Sequence, residues 1–185
     1  MKKPINLGDS SKFVSYKTNG ITNCLELCKM ILNNYGLTYY GSSAHVFKLM
    51  YEKDGKLIHY GNNVKENYNN AINCIDRHLE NNRPIIVGVN HTIGKTINEG
   101  TTDHFVVIYG RGFDKSKNNY YYNYYEVGKS NIDDGYDDIS NRFYYTIDPL
   151  ALCDTISKRG DKVRFDVTQV RPNDGNINNT VTQNE

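Results

Sequence analysis

Tryptophan is absent from this chain of 185 residues, and methionine, cysteine and proline are scarce at three, four and four. The cysteines, Cys24, Cys28, Cys74 and Cys153, lack the short paired spacings of a disulfide framework or a zinc site. They are read as reduced thiols, and no metal or other cofactor is expected. Neither sign of charge dominates: 22 Lys and Arg against 21 Asp and Glu leave a net +1, which gives no electrostatic case for nucleic acid or an anionic membrane. No apolar run is long enough to span a bilayer, and the segment from Met1 to Ser10 lacks the apolar core of a signal peptide. The expected location is the cytoplasm of the producing cell, or outside it by a leaderless route.

Tyrosine is abundant. Sixteen tyrosines bring the aromatic content to 12%. Each carries an apolar ring and a polar tip, so the mean hydropathy of -0.67 understates what the chain can bury. The length suits one domain with a real core, expected over 1–171. The last residues, 172–185, have almost nothing to bury and are expected to be disordered.

Three segments of the first half carry helical patterns. Cys24, Leu25, Cys28, Ile31, Leu32 and Tyr35 fall on one face. Thr22 or Asn23 can cap that helix, and Gly36 can stop it, since glycine enters the left-handed conformation without a Cβ clash. The stretch Ser43 to Tyr51 and the stretch Asn67 to Asn81 are the second and third expected helices. Pro84 closes the last, because proline disfavours a helical residue before it. From there the pattern is strand-like: Pro84 to Val89, Phe105 to Tyr109, Tyr120 to Val127, Arg142 to Ile147 and Val163 to Val167. Gly110-Arg111-Gly112 reads as a hairpin turn, and Gly128 to Asn141 as a long polar insertion. Helices first and strands after, without alternation, predict an α+β fold with an antiparallel sheet.

One constellation suggests chemistry. Cys24 lies in the first turn of its helix, where free amides and the helix dipole favour an anion and draw a thiol pKa below about 8.5. Cys28, one turn further in, has no such amides, and Cys74 and Cys153 read as core. His104 opens an apolar strand, and Asp148 closes a later one. A thiol, an imidazole and an acid in this order are the parts of a nucleophile with its base and orienter. Asp114, in the turn after the His104 strand, is the alternative orienter. His45, His59, His78 and His91 have no metal-ligand spacing; His91 would lie near the mouth of such a site.

Three segments together resemble the papain-like cysteine peptidases and amidases, in particular the bacterial branch of the bacteriocin-processing peptidases. They are Arg83-Pro84-Ile85-Ile86-Val87-Gly88-Val89, Asp103-His104-Phe105-Val106-Val107-Ile108-Tyr109-Gly110 and Tyr144-Tyr145-Thr146-Ile147-Asp148-Pro149. The resemblance implies a papain-like fold, with an N-terminal helical part carrying the Cys helix packed on an antiparallel β-sheet. It implies a Cys24-His104-Asp148 triad cleaving an amide through a thioester. Where many relatives carry a glutamine as oxyanion donor, this chain has Thr18 followed by Asn19, so Asn19 is the candidate donor beside the Cys24 amide. The expected substrate is the peptidoglycan stem peptide, cut by an antibacterial effector that has a cognate immunity protein in the producer. The alternatives are a cytosolic peptidase acting on proteins or peptides, and a papain-like binding module without activity.

Overall fold

The computed structural model describes residues 2–17, 20–39, 46–96, 100–136, 138–154 and 164–173. Helix α1 (Cys24–Asn34) starts at the cysteine. The Asn23 side chain accepts from the amides of Leu25 and Glu26 at 3.0 and 3.3 Å, and Gly36 follows the helix at φ 71°. Helix α2 (Val64–Glu80) ends before Asn82, at φ 57°, and Pro84. A third, four-residue helix, α3 (Ile132–Gly135), lies within the polar insertion.

Between the first two helices the second expected helix is replaced. Residues 43–45 lie outside the described set, and beyond them run β2 (Phe47–Lys48), β3 (Met50–Lys53) and β4 (Lys56–His59). Asp54 and Gly55, both at positive φ, turn β3 back onto β4. Such a two-residue Asp-Gly link is a hairpin signal that local apolar spacing at 44–50 obscures.

The remaining strands are β1 (Ile5–Asn6), β5 (Ile85–Asn90), β6 (His104–Asp114), β7 (Asn119–Tyr125), β8 (Arg142–Ile147), β9 (Leu150–Cys153) and β10 (Asp166–Arg171). Their hydrogen-bonded order is β6-β5-β10-β9-β8-β7, and β7 pairs back onto β6. Every pairing is antiparallel, so six strands form a closed barrel, with β1 and β2 added on β6 and β10. The expectation of a papain-like α+β fold, with a helical half packed on a sheet, is therefore corrected. The protein is mostly a closed six-stranded antiparallel barrel, with three α-helices among the described residues. Closure depends on curvature, and irregularities in register between Ile108 and Gly110 and between Val167 and Gln169 bend the two strands concerned. Such bends, and the β9–β10 contact at Cys153 and Asp166, leave no periodic trace in the sequence.

The faces of the barrel wall explain its unbroken apolar runs. Val87, Val106, Ile108, Tyr122, Tyr124, Phe143, Leu152 and Val167, drawn from all six strands, share the interior core with Ala71, Ile75 and Leu79 of α2. Their neighbours in the strands, Ile86, Phe105, Val107, Tyr109 and Tyr125, pack outside against Leu27, Cys28 and Ile31 of α1. Strands covered on both faces lose the alternation of a half-solvated sheet.

Gly110-Arg111-Gly112, expected as a turn, continues β6 instead. Arg111 is buried and donates to Asp76 of α2 and to the Lys3 carbonyl; the turn comes later, at 115–118. Here the glycines serve close approach: a Cβ on Gly110 would meet the Ile5 carbonyl oxygen at 2.9 Å. At the other end, Asn173 is buried, donating to the His78 Nε2 and the Pro84 carbonyl, so the packed chain extends two residues past the expected boundary.

Candidate active site

Helix α1 delivers Cys24 to the mouth of the barrel, where β6 begins with His104. Asn23 holds the amides of Leu25 and Glu26, which fixes the first turn and leaves the thiol facing the strand. The thiol lies within interaction range of the His104 ring and the Phe105 amide, both of which lower its pKa. On its other side, His104 Nε2 lies 2.7 Å from Glu126 Oε1. Glu126 occupies that ring nitrogen, so Nδ1 is the one left for the thiol. The three side chains form a line: Cys24, His104, Glu126.

Glu126 follows the last residue of β7. Its Oε1 also accepts from the Gly128 amide at 2.8 Å, and its own amide donates to the Gly135 carbonyl of α3. A Cβ on Gly128 would stand 3.0 Å from that same carboxylate oxygen and 3.5 Å from the His104 ring, so glycine permits the close wrap. Both partners are withdrawn from water, His104 being 6% and Glu126 2% exposed. A buried charged pair of this kind persists only when both partners are hydrogen-bonded.

The electrostatics follow from that geometry. Burial alone would raise the Cys24 pKa; the hydrogen bond and charge of His104, with the amides of Phe105 and Leu25, outweigh it and hold the thiol below its ordinary value. Burial alone would lower His104; the Glu126 carboxylate and the bonds to Cys24 and Glu126 outweigh it and push the imidazole up to about 10. Both shifts favour a thiolate beside an imidazolium. Cys28 moves the opposite way, well above its ordinary value, through burial and the charges of Cys24 and Glu126.

A cleft of about 380 Å³ opens over the pair, lined by Tyr16, Thr22, His91, Asp103 and Gly128 beside Cys24 and His104. Asp103 accepts from the amides of His91 and Thr92, tying the loop after β5 to the start of β6. The His91 ring stands edge-on to His104 at 6.0 Å and stacks on Phe165 at 5.1 Å.

Of the expected site residues, the structure brings Cys24 and His104 together. Asp148 is placed elsewhere, in the exposed turn between β8 and β9, because the strand it closes runs away from the barrel mouth. Asp114 caps the turn at the far end of β6, accepting from Ser116 and Tyr144. Neither lies against His104; the acid that does is Glu126. Glu126 stands near the end of the run Tyr120 to Val127, an acid at a strand end as Asp148 is. Asn19 lies outside the described residues. The Cys24 amide stands at the head of α1, where an amide has no carbonyl one turn earlier in the helix to bind. Among the described residues no cluster of His, Cys, Asp and Glu could hold a metal ion.

Comparison of the chain with protein-family models, with curated proteins and with solved structures gave no match in any of the three. The site is therefore read from its own chemistry.

Proposed function

We propose that the protein is a cysteine hydrolase that cleaves an amide bond through a Cys24 thioester. The observation that carries this reading is the buried His104 imidazole, bonded to Glu126 at 2.7 Å and lining one open cleft with the Cys24 thiol, whose pKa it lowers. The same constellation of nucleophile, base and orienting acid recurs on unrelated folds, so a closed barrel is no obstacle to it.

In the proposed reaction the Cys24 sulfur attacks the carbonyl carbon, and the carbonyl oxygen takes up negative charge facing the Cys24 amide. The tetrahedral intermediate collapses with cleavage of the C–N bond, and the leaving amine takes the proton held by the His104 imidazolium. Water then adds to the thioester as His104 accepts its proton, and the C–S bond breaks to release the acid and restore the thiolate. Glu126 remains ionised throughout, holding the ring and balancing its charge.

The narrower assignment to peptidoglycan stem peptides drew on the papain-like resemblance, whose fold the barrel replaces; the proposal is for a peptide-type amide. Membrane insertion has no support in the helices, since among the described residues none is long and apolar enough to cross a bilayer. The test is acylation. Incubation with an activated acyl ester, followed by acid quench and peptide mass mapping, should place an acyl group on Cys24 in the wild type and none at that site in Cys24→Ala. Hydrolysis of peptide amides and peptidoglycan fragments then separates the substrate settings. A cleft that binds peptide with no acylation of Cys24 would overturn the reading in favour of a binding module.

A further inference from the structure

The hydrogen bond from His104 to Glu126 fixes one point of the imidazole but not its plane. The ring can still pivot about the Nε2 to Oε1 axis, and the final torsion of a histidine side chain is a broad, soft one. A ring that pivots points Nδ1 away from the thiol. Something else must hold the plane.

The surroundings supply one candidate. Phe165, just ahead of β10 and 1% exposed, sets its ring across that of His104 at 5.8 Å and 70°. The same phenyl stacks on His91 at 5.1 Å and 25°, and His91 meets His104 edge-on at 73°. The three rings therefore form one packed cluster. Phe165 is itself held from the backbone: its amide donates to Asp154 Oδ1, and its carbonyl accepts from the Asp154 amide, both at 3.1 Å. Asp154 is fully buried, and its second oxygen accepts from the Tyr124 hydroxyl at 2.8 Å. Tyr124 in turn stacks on Phe143 at 4.1 Å. It lies on β7 two positions before Glu126, so one segment anchors both constraints on the imidazole.

We propose that Phe165, held by the Tyr124–Asp154 pair, is a positioning residue that fixes the plane of the His104 imidazole toward Cys24. The inference rests on the cysteine-hydrolase reading, because it takes His104 to be the base. It gives the buried Asp154 a role beyond folding: its carboxylate sets the place of an aromatic ring, and the ring sets the base.

The test is the pH dependence of Cys24 alkylation by iodoacetamide, with the label located by mass spectrometry, in the wild type, Phe165→Leu, Tyr124→Phe and the control Val170→Ala. An aromatic pair contributes on the order of 0.5–1.5 kcal/mol beyond simple burial, which corresponds to a roughly twofold to tenfold effect. Phe165→Leu should slow Cys24 alkylation near neutral pH by about that factor and move the titration midpoint up. Tyr124→Phe, which removes one hydroxyl and keeps the ring, should shift the midpoint the same way by less. Val170→Ala takes a core side chain from β10, the strand that follows Phe165, as a purely structural loss and should leave the midpoint in place. If Phe165→Leu does not fold, Tyr124→Phe decides. A depressed midpoint in the wild type that is unchanged in the foldable variants overturns the positioning role alone. An ordinary thiol in the wild type overturns the cysteine-hydrolase reading with it.

Discussion

Replacing Glu126 by glutamine separates charge from shape at the centre of the site. The amide oxygen of glutamine can still accept from His104 Nε2 and from the Gly128 amide, now at 2.7 and 2.8 Å from Glu126 Oε1. What disappears is the negative charge. A hydrogen bond to a charged group contributes about 1.5–3 kcal/mol against about 0.5–1.5 for a neutral one, so roughly 1–1.5 kcal/mol is lost. That equals about one pKa unit of the imidazole, since one unit is about 1.4 kcal/mol. His104, pushed up to about 10 chiefly by Glu126 against the opposing effect of burial, should therefore titrate about one unit or more lower in Glu126→Gln. The assay is NMR of the His104 ring carbon from about pH 5 to pH 11, with His104→Gln to assign the signal. A titration that does not move would refute the claim that Glu126 carries the charge facing His104.

Asp148→Asn should leave both the His104 titration and Cys24 alkylation unchanged, because Asp148 sits in an exposed turn; a loss comparable to that of Glu126→Gln would restore it as orienter. Stability should depend on pH through His104. Its folded pKa is raised above the unfolded value near 6.5, so its contribution is complete below that value and is lost as pH rises through about 10. In Cys24→Ala, which removes the opposite contribution of the thiolate and also its share in raising His104, urea melts should show stability falling above about pH 6.5 and levelling off below about 10, and His104→Gln should flatten the fall. Ile31→Ala, fully buried between α1 and the barrel wall, should cost about 2–5 kcal/mol in chemical unfolding, and a cost under about 1 would contradict the packing of α1. Gly110→Ala should destabilise by about 1–3 kcal/mol, since its Cβ meets the backbone oxygen of Ile5 rather than a side chain that can swing aside.

Local features of this chain were legible where a single element explains them. Asn23, the apolar face of α1 and Gly36 define a helix without outside help, and the runs at 85–89, 105–109 and 142–147 read as strands. Cys24 and His104 could be chosen because a helix N-terminus and a strand start are local properties. The barrel was not legible, because closure depends on which strands meet. The pairing of β7 with β6 and the contact of β9 with β10 join segments whose own patterns are silent about partners. Leu150 to Cys153 is too short, beside Pro149, to stand out as a strand at all. Which acid lies against His104 was hidden for the same reason. Glu126 and Asp148 both close apolar strands, and only the barrel decides which of the two strand ends arrives at the mouth.

The central claim is that Cys24 rests as a thiolate paired with His104. Its most direct test is the rate of Cys24 alkylation against pH in the wild type and in His104→Ala, with Cys28, Cys74 and Cys153 as internal references. On that claim Cys24 should titrate below the ordinary thiol value in the wild type and lose that shift in the mutant, with Cys28 inert throughout. A Cys24 that titrates like a free thiol, with or without His104, would contradict it.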